Sequence, residues 1–204
     1  MEHPGTFVTT PTEGPRVIEL TQGQEMVLAT EDGRPLTRIR LGIGWDKNPT
    51  AGAIGTGAPD IDLDATAVQF ASGQLFDIAF YNNLKTRDGS VEHLGDNLTG
   101  RGDGDDEALV VDLPRVHGPV DTIVLLVSSY QGHTLEWINN AYCRLVDEDE
   151  VEVARYTLTG GVPHTGLALA AITRDGDRWK LRAIGEGIAV KVPTESIEAL
   201  RPFL

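Results

Sequence analysis

Three observations predict an all-β fold, a sandwich. Short runs of alternating apolar and polar residues recur along most of the chain. Turn pairs separate them at intervals of roughly ten residues: Asp32-Gly33, Asp88-Gly89, Gly160-Gly161 and Asp175-Gly176. Helical periodicity is confined to two short places. The 204 residues suit one domain of moderate size or two very small ones, and 40% hydrophobic content supplies an ordinary core without staples.

Residues 1–16 carry prolines and threonines without periodicity and read as a flexible leader. Strand pattern begins at Val17. Met26 and Leu28 alternate with Glu25 and Val27. Ile39, Leu41 and Ile43 alternate with Arg38 and Arg40, apolar in and polar out. Phe76, Ile78 and Phe80 alternate with Asp77 and Ala79, and Leu109, Val111 and Leu113 form one face of a strand beginning just after Glu107. TIVLLV at 122–127 is continuously apolar, as in a central strand buried on both faces. Further strands are expected at 141–146, 151–158, 167–173 and 179–184. Residues 135–139 offer one helical turn. Residues 195–200 offer a short terminal helix, with Thr194 as N-cap and Pro202 as stop, inside a C-terminal tail of 192–204.

Composition narrows the function. One cysteine, Cys143, excludes an internal disulfide and a cysteine-based zinc site. The first residues lack the basic start and apolar run of a signal peptide, and no apolar stretch approaches the about 18 residues of a membrane span. The expected location is the cytoplasm. A net charge of −14 argues against nucleic acid and anionic lipid as partners.

The acid is concentrated. The stretch 81–107, YNNLKTRDGSVEHLGDNLTGRGDGDDE, is dense in side-chain oxygens and glycine. Two carboxylates about 5 Å apart repel by roughly 3 kcal/mol at an effective dielectric of about 20. A total stability of about 5–15 kcal/mol leaves little room for several such pairs. Either the carboxylates point apart into water or a cation draws them together. Ca²⁺ takes about six to eight hard oxygens, and oxygens are nearly all this stretch offers, His93 being its one imidazole. Asp103, Asp105 and Glu107 are spaced by two and would project to one side of an extended chain. Asp60, Asp62 and Asp64 alternate likewise around Ile61 and Leu63, giving a strand edge with one acidic face. An EF-hand does not fit, because a strand pattern and not a helix follows the acidic run.

At these residues the chain resembles the TerD-domain family, the tellurium-resistance and general-stress proteins of bacteria. The resemblance covers about 17–190 and rests on LTRIRLGIGWD (36–46), IDLDATA (61–67), DIAFYNNLKTRDGSVEHLGDNLTGRGDGDDE (77–107), VDLPRVHGPVDTIVLLVS (111–128), INNAYCRLVDE (138–148), VARYTL (153–158) and WKLRAIGEG (179–187). It implies two facing, mainly antiparallel sheets with long metal-binding loops, at most one or two short helices, and two neighbouring Ca²⁺ sites, all within a domain spanning 17–191. By match to the motif, it implies metal binding by Asp62, Asp64, Asn83, Asp88, Ser90, Asp96, Asn97, Asp103, Asp105, Asp106 and Glu107. Gly89 and Gly104 would give carbonyls or permit the turn. Asp46 is a weaker candidate, its alternative being a turn residue bonding its own backbone. The chain departs from the family at Ile61, TGGVPHTG, SSYQGHTLEW and IAVKVPTESIEAL. These changes spare the metal motif and bear on any partner surface.

Other conspicuous residues have plainer readings. His93 is a donor beside the acids or an exposed side chain, and His117, His133 and His164 lack catalytic partners. Cys143 alternates within a strand as a small buried hydrophobe. Nucleophile-elbow, zincin, P-loop and dinucleotide patterns are absent from the sequence. The expectation is a Ca²⁺-binding stress-response protein of tellurite and chemical resistance, not an enzyme. It would work with other proteins of the same stress system and reach a membrane only through them. The alternatives are an interaction scaffold whose metal is purely structural and, behind it, a metal-dependent hydrolase.

Overall fold

Hydrophobic patterning decides which strands lie inside. The computed structural model describes residues 17–46, 62–95, 105–136, 138–158 and 160–204; the expected leader lies outside them. The strands are β1 Ile18–Glu19, β2 Glu25–Val27, β3 Arg38–Asp46, β4 Leu63–Ala71, β5 Gln74–Ala79, β6 Val91–His93, β7 Glu107–Asp112, β8 Thr122–Ser129, β9 Asn139–Val146, β10 Glu152–Leu158, β11 Gly166–Asp175 and β12 Arg178–Ile188. They form two six-stranded sheets, one ordered β1-β10-β9-β3-β7-β6 and the other β2-β12-β11-β8-β4-β5. Neighbours are antiparallel except β1 and β10, which run parallel.

The predicted alternation fills the space between the sheets. Ile39, Leu41 and Ile43 of β3 and Leu109 and Val111 of β7 meet Ala65 and Ala67 of β4 and Ile123, Leu125 and Val127 of β8. The other face of β8, Val124 and Leu126, belongs to a second cluster with Val68, Phe70, Leu200 and Phe203. TIVLLV is thus buried on both sides, and its outer cover is the C-terminal segment. That segment is a 3-10 turn Pro193–Glu195, a helix α1 Ile197–Leu200 and a 3-10 turn Arg201–Phe203. Burying Leu200 and Phe203 contributes about 1.5–3 kcal/mol each. Ser196, not Thr194, sits at the helix start, its hydroxyl donating to Pro193 O at 2.6 Å. Pro202 does not stop the chain's turning but lies inside the last 3-10 turn.

Two expectations are sharpened. The turn expected at 135–139 goes no further than a bond from Ile138 N to Leu135 O at 3.3 Å: Leu135 also makes an isolated bridge to Val162, and β9 starts at Asn139. Leu135 itself is buried, which ties the segment to the core. The acidic strand edge at 62–64 is the entrance to a long central strand, β4, which was not anticipated past residue 67. Its partner β5 returns through Ser72 and Gly73, both at positive φ (50° and 74°), as a two-residue hairpin requires.

Candidate metal centre

The acids expected to bind metal fall at two ends of the sandwich. At one end β4 and β7 begin together: Glu107 of β7 accepts a hydrogen bond from Ala65 N of β4 at 2.5 Å. At the other end Gln69, four residues further along β4, donates through Nε2 to Ser90 Oγ at 2.8 Å, and Asp112 at the end of β7 donates its N–H to Ser90 O. At about 3.3 Å per residue the two ends lie roughly 13 Å apart. No single ion spans that distance.

The far end is closed by Asp88. Its Oδ1 accepts from Thr86 Oγ1 (2.7 Å), Ser90 N (3.0 Å) and Ser90 Oγ (2.8 Å). Its Oδ2 accepts from His117 N (3.0 Å) and, more weakly, Gln69 Nε2 (3.4 Å). Burial pushes the Asp88 carboxyl up, but the bonds from Ser90 and His117 N–H and from the Thr86 and Ser90 hydroxyls outweigh it and bring the pKa down to about 2. Gly89 turns the loop at a φ of 70°. Asp88 and Ser90 are therefore held by protein donors and tie the 85–90 loop to both sheets.

The near end gathers the other acids. Glu107 is fully buried, and His93 Nε2 lies 3.4 Å from its Oε2. Gly95 N donates to His93 Nδ1 at 3.1 Å, which turns Nε2 toward Glu107. β5 pairs with β4 only from Ala67 on, so the Ala65 N–H on that side is met by Glu107. Asp64 is also buried, in register with Ser128 of β8, and falls on the face of β4 opposite Leu63 and Ala65. Asp62 is half-buried, and its carbonyl accepts from Tyr130 N. Asp106 extends the β3–β7 ladder: its N–H donates to Ile43 O at 2.8 Å and its Oδ2 accepts from Trp45 N at 3.0 Å. Asn83 sits beside this end, its Nδ2 donating to Ile78 O at 2.6 Å, one residue before Leu84, whose carbonyl accepts from His93 N.

Asp105 corrects one expectation. It does not project with Glu107. Glu107 has the parity of core-facing Leu109 and Val111, whereas Asp105 precedes the strand and lies on the outer face of β3 and β9. There Arg40 Nη1 donates to it at 2.5 Å, and Arg144 grips it through Nε at 2.6 Å and Nη2 at 3.0 Å. This fork leaves its side chain 8% exposed. The slot exists because residue 42 is glycine: a Cβ there would lie 2.0 Å from Asp105 Oδ2. Arg40 and Arg144 were not singled out in the sequence as partners of the acids, and neither was Gln69. The one signal for Gln69 was a polar residue set in an apolar run.

Asp96, Asn97, Asp103 and Gly104 lie outside the described residues, as do Asp60 and the Asp46 side chain. Among the described residues no group of three or more His, Cys, Asp or Glu side chains is close enough to hold a metal ion. The donor chemistry at the near end fits a hard cation: Asp62, Asp64, Asp106 and Glu107 bring only oxygen. Asp88, Ser90 and Asp105 are held by several protein donors, and Asp106 and Glu107 accept from Trp45 N and Ala65 N.

Cys143 is buried, and burial pushes its thiol up to about 12. Among the described residues no helix is long and apolar enough to cross a membrane.

Comparison with known proteins places this arrangement. The TerD domain model matches residues 17–194. Tellurium resistance protein TerZ of Serratia marcescens is 36% identical over 173 residues, covering 83% of this chain and 89% of the relative. Stress response protein SCP2 of Bacillus subtilis (strain 168) is 37% identical over 184 residues, covering 83% and 92%. Tellurium resistance protein TerD of Serratia marcescens is 37% identical over 182 residues, covering 84% and 91%. The crystal structure of a homologue of telluride resistance protein (TerD) from Streptomyces coelicolor A3(2) superposes with a TM-score of 0.60 at 18% identity, covering 79% of this chain and 95% of that one. A crystal structure of a protein of unknown function gives 0.65 at 22%, covering 78% and 94%. These two likenesses concern the fold alone.

Proposed function

The chain belongs to the TerD domain family, and from there we propose that it is a cytoplasmic Ca²⁺-binding protein of bacterial tellurite and chemical-stress resistance, acting by binding and assembly and not by catalysis. The observation that carries the calcium reading is the buried carboxylate of Glu107 at the start of β7, set against β4 where Asp62 and Asp64 begin that strand. Asp62, Asp64, Asp106 and Glu107 would hold the ion with backbone oxygens, and the sequence offers Asp96, Asn97 and Asp103 between Gly95 and Asp105 to complete the set. When bound, the cation supplies the positive charge that lets clustered carboxylates share one place. His93 packs beside Glu107, its Nε2 3.4 Å from Oε2.

Two observations support binding over catalysis. His93 is 0% exposed, its Nδ1 taken by Gly95 N and its Nε2 enclosed 3.4 Å from Glu107, so no substrate reaches it as a base. The Cys143 thiol, pushed up to about 12, is no nucleophile near neutral pH. The partners would be other proteins of the same stress system, with any membrane reached through them.

Titration calorimetry on metal-stripped protein tests the reading. Two Ca²⁺ ions per chain are expected, at micromolar affinity or tighter, with Glu107→Gln and Asp64→Ala losing at least one. Absence of binding heat from a folded sample would overturn it. A second reading has its own observation: Glu107 joins β7 to β4, so a cation there fastens the two sheets together and is structural. Pull-downs giving the same partners with and without chelator favour that reading; partners lost with chelator favour an ion that governs assembly.

A further inference from the structure

The two sheets part along the side where β1 and β2 form their outer edges. Between them runs an open groove of about 500 Å³. Its apolar lining comes from Ile18 on β1, Val27 on β2, and Val151 and Val153 at the start of β10. Ile18 and Val27 remain 40% and 38% exposed, high for aliphatic side chains on opposing strands. β1 pairs only with β10 and β2 only with β12 among the described residues, so each strand carries an open edge. The rim is acidic. Glu31 and Asp147 border the groove and make no ion pair among the described residues. Asp147 opens the run Asp147, Glu148, Asp149, Glu150 in the turn before β10.

We propose that this groove is a docking site for a basic, apolar, extended peptide segment of another protein, which adds as a strand at the β1 or β2 edge. Its alternate aliphatic side chains fill the gap between Ile18, Val27 and Val153, and its Lys or Arg residues meet Glu31 and Asp147, the two rim acids without an ion pair among the described residues. Charge selects this occupant over the others. A second copy brings a net charge of −14 to an acidic rim. The chain's own residues 1–16 carry Glu2 and Glu13 against Arg16, and Pro4, Pro11 and Pro15 remove amide donors that a pairing strand needs. The site is remote in sequence from the calcium residues and does not depend on them.

The test uses the full chain in calcium-containing buffer at low ionic strength. The probe is a fluorescent peptide of alternating Val and Thr flanked by paired lysines, and its control has glutamates in place of the lysines. The lysine peptide should bind about tenfold or more tightly than the control, with amide shifts at residues 17–31 and 147–153. Glu31→Lys should weaken it about fivefold, and Ile18→Ser with Val27→Ser should abolish it. These side chains are partly exposed, so unchanged melting curves verify that the variants fold. Equal binding of both peptides, or shifts elsewhere only, would overturn the proposal. So would shifts at 17–31 that depend on protein concentration without peptide, which would make a second copy the occupant.

Discussion

The two ends of the sandwich use carboxylates differently. At the far end Asp88 accepts hydrogen bonds from Thr86, Ser90, Gln69 and His117, and the loop is complete in protein alone. At the near end Glu107 reaches between sheets to Ala65 N with His93 beside it, while Asp105, two residues earlier, is drawn to the opposite face by two arginines. What separates the ends is how the carboxylates are placed. At the far end one carboxylate is surrounded by N–H and O–H groups, whereas at the near end several acids stand at a strand entrance, where the proposed cation would let them share one place.

That contrast can be broken by experiment. Chelation should have the largest effect: ligand linkage gives about 4 kcal/mol at a thousand times Kd, so EDTA should lower the melting temperature markedly and Ca²⁺ should restore it. An unchanged melt at low salt would remove the distinction between the ends. Next comes Asp88→Ala, which strands His117 N and the Ser90 hydroxyl and should cost about 2–3 kcal/mol in denaturant unfolding, with calcium stoichiometry intact. Loss of an ion from this variant would show that the far end binds metal after all.

The same residue predicts a pH dependence. The folded pKa of Asp88, about 2, lies below its ordinary value of 3.8. Its contribution is therefore fully present above about 3.8 and fades as pH falls toward 2. The stability gap between wild type and Asp88→Asn should narrow in that window and stay flat above it.

Asp105→Asn should cost less, about 1–2 kcal/mol, because Arg40 and Arg144 keep partial solvent contact and alternative acids in Glu150 and Glu152. Calorimetry on this variant distinguishes a clamp, with calcium unaffected, from a ligand that leaves its arginines. The smallest change should be Lys85→Ala, an exposed pair with Glu92, at about 0.3 kcal/mol.

Much of the fold was legible because it is periodic. The alternation at 38–43 and the unbroken run at 122–127 each became the expected strand. β4 was harder. Thr66 and Gln69 interrupt its apolar pattern, and both are buried, which a local reading takes for turn chemistry. At the site, the oxygen-rich motif was visible from composition, but the division of labour within it was not. The partners that claim Asp88 and Asp105 stand far away in sequence: Gln69 and His117 are 19 and 29 residues off, Arg144 and Arg40 39 and 65. Local spacing of acids carries no information about such donors.

The placement of β1 and β2 has a consequence for biogenesis. They come first in sequence among the described strands, yet β1 pairs with β10 and β2 with β12. The outer face of β8 likewise waits for Leu200 and Phe203, far downstream of it in sequence. Each edge strand waits for a partner far downstream, β1 for β10 and β2 for β12, so a nascent chain stalled before residue 178 would leave β2 unpaired and the β12 side of β11 bare.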